Sequence, residues 1–161
     1  MALTHWAHYE TALCRLFSAF IALDRDSEAA RRAFGAVRTF EARLDMLRAA
    51  ADAYFKYFPS PELQTIWIEI ARLGRLFAER RNEIAHGAVA QFIPRALTTA
   101  GAPDSTALMP ADTNVKKRDI HGMPKYASTA AALHHYALEF ERLRQAPIEL
   151  AGGIVTRAQH R

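Results

Sequence analysis

The helical spacing of apolar residues constrains the fold of this chain more than any other feature of its sequence. In four segments, large apolar side chains recur every three or four residues, which places them on one face of an α-helix. These segments run from about Leu3 to Leu23, Glu28 to Tyr57, Pro61 to His86 and Ser128 to Pro147. Four such helices must bury their apolar faces against one another. We therefore predict an all-α fold, an antiparallel up-and-down four-helix bundle.

Residues that favour helix ends punctuate these segments. Ser27 is an expected N-cap of the second helix, because its hydroxyl group can accept a hydrogen bond from a free backbone N–H group. Gly87 is a natural residue for ending the third helix. Pro147 is expected to interrupt the fourth helix. Only a short helical tail is expected after it, because Gly152 and Gly153 weaken helix formation there.

The connection between the third and fourth helices, from about residue 88 to 127, differs from the rest of the chain. It holds four of the seven prolines, which oppose regular helix. Residues 89–93 and 107–109 are candidates for a small β-hairpin, and the run Lys116-Lys117-Arg118 is expected to be a solvated basic tip. We predict a single domain, residues 1–161, with a long irregular loop that is functional or mobile.

The composition excludes several kinds of protein. Cys14 is the single cysteine, so no internal disulfide or cysteine-based zinc cluster can form, and we expect a cytoplasmic location. No apolar stretch approaches the roughly 20 residues that cross a bilayer, so no membrane partner is expected. The formal charge of +4 suits a polyanionic partner such as RNA without requiring one.

The end of the third helix carries the residues that indicate chemistry. One outer face of an ideal helix, at about 100° per residue, collects Arg72, Arg75, Glu79, Asn82 and His86. Arg81 instead continues the apolar stripe, where a charge needs a partner or a cleft. Histidine exchanges protons near neutral pH, and arginine can hold a phosphate and stabilise its transition state. Because the 2′-hydroxyl of RNA supplies a nucleophile, these residue types suit RNA cleavage without a metal ion.

The string Arg81-Asn82-Glu83-Ile84-Ala85-His86 resembles the signature of the HEPN superfamily. That signature is an arginine, usually followed by a polar residue, and then a histidine after a short gap. The resemblance implies an antiparallel helical bundle that is usually dimeric. It also implies a metal-independent endoribonuclease without a cofactor, of the kind found in toxin–antitoxin and phage-defence systems.

The resemblance also implies roles for individual residues. His86 would handle protons, Arg81 would bind and stabilise the scissile phosphate, and Asn82 would orient His86 or the phosphate. An ideal helix separates Arg81 from His86 by about 140°, so either the helix unwinds near Gly87 or a second copy of the chain completes the cleft. We expect a second copy, together with some unwinding. Some family members carry a tyrosine, modified by a partner protein, where this chain has Ala88. It is therefore open whether an antitoxin protein pairs with this chain.

Other basic residues and other functions also fit the sequence. Arg72, Arg75 and Arg80 are candidates for contact with the RNA backbone. A second hypothesis is a non-catalytic module that binds RNA, nucleotide or a partner protein through the same surface. A third is a purely structural bundle, in which Arg81 forms an interface ion pair, for example with Glu83 of another copy.

Two further sets of residues are given structural interpretations. His5 and His8 share a helix face, but two histidines without acidic or cysteine company rarely form a metal site, so no metal ion is expected. Trp67 continues the apolar stripe of the third helix and is expected in the core, not on a base-stacking surface.

Overall fold

The computed structural model describes residues 1–92, 105–111, 113–118, 120 and 124–160, and this part of the chain is mostly helical. Its elements in chain order are α1 (Ala2–Ala22), α2 (Glu28–Ala36), α3 (Phe40–Tyr57), α4 (Pro61–Ala85), β1 (Gly87–Phe92), β2 (Ser105–Pro110), a 3₁₀ turn (Val115–Lys117), α5 (Ala130–Leu143) and α6 (Gln145–Gln159). The predicted all-α class is confirmed in outline. The predicted four-helix arrangement is not confirmed, because six α-helices occur in the described residues. None of these helices is both long and apolar enough to span a bilayer.

The expected single helix from Glu28 to Tyr57 is wrong, because it divides into α2 and α3. Val37 has an extended backbone, with φ −79° and ψ 122°. Thr39 caps α3 by accepting a hydrogen bond from the Ala42 N–H at 3.2 Å. Arg43 donates to the Val37 carbonyl at 2.8 Å, which satisfies a backbone acceptor at the break. Apolar residues keep their helical spacing across the break, so periodicity alone did not reveal it.

The expected short C-terminal tail is instead the complete helix α6. Pro147 lies in the first turn of α6, where a missing backbone N–H removes no helical hydrogen bond. Gly152 and Gly153 lie within the helix despite their low propensity. Leu150 and Ile154 are fully buried in the core that α6 shares with α1. Tertiary packing therefore stabilises a helix that local propensity underestimates.

The core surrounds α1, which packs against all five other helices. Residues 16–20 of α1 are all buried, so neighbouring elements cover every face of the helix at this point. At the other end of α1, the ring of Trp6 lies 5.1 Å from that of Phe40 and 5.2 Å from that of Phe140, between centroids. Trp67 is also buried, as expected. This core fixes the positions of α4 and α5, the helices that carry the candidate sites.

The small β-sheet confirms the expected hairpin. Strands β1 and β2 are antiparallel, with Val89 opposite Leu108; the Ile93 end of the prediction lies outside the described residues. Gly87 was expected to cap α4 in a left-handed conformation. It does not do so, and it begins β1 instead. A Cβ atom at Gly87 would lie 2.6 Å from Leu108 Cγ and 2.8 Å from the Glu83 carbonyl oxygen. Glycine is therefore needed here because the hairpin lies directly against the end of α4.

Candidate functional site

The motif of residues 81–86 occupies the C-terminal end of α4. The backbone remains helical through Ala85, and the His86 N–H donates to the Asn82 carbonyl at 3.0 Å. Arg81 is half-buried, whereas Asn82 and His86 are exposed. The helix does not unwind before His86, so the ordinary helical rotation separates the side chains of Arg81 and His86.

Arg81 and His86 line different cavities of the chain. Arg81 lines a cavity of about 510 Å³ between residues 38–41 and α4. His86 lines a smaller cavity of about 110 Å³, together with Lys117. Asn82 borders both cavities and lies between them. A single chain therefore does not bring Arg81 and His86 together.

Asn82 orients Arg81 in this chain. Arg81 Nη1 donates to Asn82 Oδ1 at 2.9 Å. No hydrogen bond joins the side chains of Asn82 and His86 in the residues that the structure describes, so the expected orientation of His86 by the Asn82 side chain is not seen there. The short Arg81–Asn82 contact leaves the guanidinium with other N–H groups to donate.

Each of the three arginines predicted to contact RNA is in an ion pair within the chain. Arg72 pairs with Glu69, Arg75 with Glu41 and Asp45, and Arg80 with Glu83, at N–O distances between 2.6 and 3.4 Å. The hydrogen bond from Arg72 lowers the pKa of the Glu69 carboxyl and raises the pKa of Arg72 itself. RNA would have to displace these carboxylates, so these three arginines attract phosphate less strongly than unpaired ones. Their contact with RNA stays a prediction.

Arg81 and His86 differ from their charged neighbours in the second half of α4. All the remaining ionisable residues from Glu69 to His86 take part in ion pairs within the chain. Arg81 donates to a neutral amide, and the His86 side chain has no hydrogen bond or ion pair within the described parts of the chain. Within this half of α4, the two ionisable residues that match the signature are thus the two that have no ion pair among the described residues.

The basic run Lys116-Lys117-Arg118 is not the solvated tip that was expected. Lys117 Nζ lies 2.7 Å from Glu79 Oε1 and 3.4 Å from Glu83 Oε1, both on α4. The Tyr126 hydroxyl donates to the Glu83 carbonyl at 3.1 Å. Lys117 and Tyr126 are therefore held against the end of α4, beside His86. Glu79 and Glu83, one helical turn apart, were the available sequence signal for a basic partner.

Charge pairing shifts the titration of this segment. The hydrogen bond with Glu79 raises the pKa of Lys117 and lowers the pKa of Glu79. Burial raises the pKa of the Tyr126 hydroxyl, and the Glu83 charge adds to this. Lys117 and Glu79 therefore stay ionised, and Tyr126 stays protonated, across the neutral range.

Replacing Lys117 with methionine should loosen the segment beside His86. The substitution keeps an unbranched side chain but removes the charge that holds residues 115–118 and 124–126 to α4. We expect faster backbone amide exchange in these residues, measured by hydrogen exchange and mass spectrometry. Lys116→Met is the matched control, because the Lys116 ammonium group has no ion pair among the described residues.

The effect should depend on pH in a defined direction. Glu79 has a pKa below its ordinary value of 4.5, and Lys117 has a pKa above 10.5. The ion pair is complete between these limits and is lost as pH falls through the lowered pKa of Glu79. The difference between wild type and Lys117→Met should therefore disappear in acid. Equal exchange in the two proteins at pH 7 would contradict the assignment.

Comparison with known proteins finds no family model, no curated protein and no solved structure that matches this chain. A functional conclusion must therefore come from the residues of the chain itself. Arg81 and His86 are the main candidates for functional residues, because they match the signature and neither has an ion pair with a carboxylate in the described structure.

Proposed function

We propose that this chain is a metal-independent endoribonuclease of HEPN type, in which His86 transfers protons and Arg81 stabilises the scissile phosphate. One observation carries the proposal: from Glu69 to His86, these are the two ionisable residues without an ion pair among the described residues. An unpaired guanidinium keeps its full attraction for phosphate, and an unpaired imidazole is free to exchange a proton.

The active form in this proposal is a homodimer. Because Arg81 and His86 open into different cavities, a second copy is needed to place one chain's Arg81 near the other chain's His86. Helices α4 and α5 carry exposed apolar side chains that suit such an interface: Ile66, Ile68, Leu76 and Leu138. The proposal extends to a cytoplasmic role in toxin–antitoxin or phage-defence systems, with an antitoxin protein as a further partner.

The proposed reaction uses the 2′-hydroxyl of RNA as the nucleophile. A neutral His86 removes its proton while the oxygen attacks the adjacent phosphorus. The bond to the 5′-oxygen breaks, and the same His86, now protonated, donates that proton to the leaving group. Arg81 neutralises charge on the phosphate as it develops. The products are a 2′,3′-cyclic phosphate and a 5′-hydroxyl end, with no change in oxidation state.

Incubation with RNA in EDTA tests this proposal. Wild-type protein should cleave total cellular RNA and leave cyclic phosphate ends, whereas His86→Ala should be slower by about 10²–10⁴-fold, the usual contribution of a general acid or base. His135→Ala, which changes an exposed histidine on α5, is the matched control and should cleave like wild type. Equal cleavage by His86→Ala and wild type would contradict the proposal.

A non-catalytic RNA-binding module is the second candidate, and the separation of Arg81 from His86 within one chain favours it. The cavity beside Arg81 also contains Arg38, which has no ion pair in the described residues. This function predicts binding that weakens with salt, with no turnover. Arg81→Ala should then reduce the salt dependence by about one phosphate contact.

The structure does not favour the ion pair that the structural-bundle hypothesis suggested between Arg81 and Glu83 of another copy. Glu83 was the example of a carboxylate that could pair with Arg81 of another copy. Glu83 is 7% exposed and already binds Arg80 and Lys117 within the chain. A second copy would have to break these buried contacts to use it.

A further inference from the structure

His5 and His8, near the start of α1, meet Glu141 of α5. One ligand atom from each of the three side chains lies within 4.8 Å of the other two. His5 Nδ1 is 2.5 Å from Glu141 Oε2, although the residues are 136 positions apart in sequence. The packing of α5 on α1 therefore supplies the acidic neighbour that the sequence around the two histidines lacks.

We propose that His5, His8 and Glu141 bind a divalent transition-metal ion with the ligand preferences of zinc. Two imidazoles and one carboxylate are a ligand set that zinc accepts, with a fourth position left for water or another ligand. His5 and His8 are three residues apart, so their rings lie on the same helix face, with centroids separated by 6.1 Å. Neither the carboxylate nor the rings need a change of backbone to turn toward a shared ion.

The required movements of the side chains are small. Ligand atoms of a tetrahedral zinc site lie about 3.3 Å apart, because each bond is about 2.0–2.1 Å long. No pair within the present 4.8 Å limit needs to approach by more than about 1.5 Å. His8 is exposed, so a change of its side-chain torsion angles meets little resistance. The His5–Glu141 contact must open slightly as the ion replaces the proton between the two groups.

Arg144 supports the carboxylate from its other side. Its guanidinium lies 2.9 Å from Glu141 Oε1, which leaves Oε2 directed toward His5. Such outer contacts orient metal ligands. The hydrogen bond from His5, followed by the charge of Arg144, lowers the pKa of Glu141, so the carboxylate is ionised at neutral pH.

The space beside His8 determines what the fourth ligand can be. A cavity of about 110 Å³ is lined by His8, Arg15 and Arg144, among other residues. Both guanidinium groups there already pair with carboxylates, Arg15 with Asp26 at 3.7 Å and Arg144 with Glu141 at 2.9 Å, so they repel a bound cation little and attract an anion little. Water or hydroxide therefore suits the open position.

Zinc titration of tag-free protein tests the site. Calorimetry at pH 7.5 should show saturable binding of one Zn²⁺ per chain. His8→Ala and Glu141→Gln should each weaken binding at least tenfold, because each removes one of three ligands. His135→Ala, an exposed histidine of α5 outside the cluster, should bind like wild type. A thermal shift that grows with zinc concentration in wild type and is lost in His8→Ala would support the same conclusion.

Two outcomes would overturn the proposal. One is zinc binding that does not saturate. The other is equal affinity in wild type and both ligand variants, with circular dichroism confirming that all proteins are folded. The three side chains would then form an ion-pair contact between α1 and α5 and nothing more. Neither readout uses RNA, and none of Arg81, Asn82 or His86 is changed, so the result is independent of the proposed ribonuclease.

Discussion

Mixing the Arg81→Ala and His86→Ala variants should restore RNA cleavage that neither variant shows alone. The reason is the geometry of α4, which directs Arg81 and His86 into different cavities of one chain. In the proposed dimer, a complete site combines Arg81 of one copy with His86 of the other. A mixed dimer contains one chain with Arg81 intact and one with His86 intact, so it retains one such combination.

The size of the recovery follows from the two-fold symmetry. Random reassociation makes about half of the dimers mixed, and each mixed dimer keeps one of two sites, so activity should reach about a quarter of wild type. Each variant alone should show about 1% or less, given the usual 10²–10⁴-fold contribution of such groups. The recovery is therefore at least about tenfold and easy to measure on a gel.

The mixing experiment has a matched control. The double variant Arg81→Ala/His86→Ala, mixed with either single variant, contributes no intact residue that the single variant lacks and should restore nothing. Native mass spectrometry should first confirm that the chains exchange. If mixed dimers form and cleavage stays at the level of the single variants, the two residues do not act across the interface. The proposal that each site combines Arg81 of one copy with His86 of the other would then be wrong.

Phe140→Ala should lower the free energy of unfolding by about 3–5 kcal/mol, the usual effect of removing a large buried aromatic side chain. Phe140 is fully buried. Its ring centroid lies 5.2 Å from that of Trp6, 6.0 Å from Phe77 and 6.4 Å from Tyr136. Rigid rings from three helices surround the position, so they cannot collapse fully into the cavity that alanine leaves.

Urea unfolding measures this change directly. For a chain of this size, a loss of about 3–5 kcal/mol corresponds to a fall in melting temperature of about 6–20 °C. Leu138→Ala is the control on the same helix, because Leu138 is 47% exposed and should change stability by about 0.5 kcal/mol or less. Similar losses in the two variants would show that Phe140 does not occupy a closed core.

The limits of α1, α4 and α5 were predictable from sequence within a few residues. Their apolar residues keep one helical period, and residues such as Thr129 and Pro61 favour helix starts. The separation of α2 from α3 was not predictable from periodicity, because the apolar stripe stays in register across Val37. Helix α6 was underestimated for another reason, since packing against α1 outweighs the low propensity of Gly152 and Gly153.

The candidate site also has features that were predictable from sequence and features that were not. Helix geometry predicted that Asn82 and His86 are exposed on one face and that Arg81 points away from His86, because rotation per residue is a local property. The strength of the ion pair between Arg80 and buried Glu83 depends on how much water the surrounding residues exclude. Whether Arg81 and His86 are left unpaired is therefore a property that the sequence pattern did not contain.

By itself, the sequence determined which residues share a helix and which face of that helix they occupy, because those relations depend on backbone geometry over a few residues. Only the tertiary structure decided which charges meet. Lys117 reaches Glu79 across 38 positions, and Glu141 reaches His5 across 136. Such contacts arise when packed helices bring distant segments within a few ångströms, and no spacing along the chain encodes that distance.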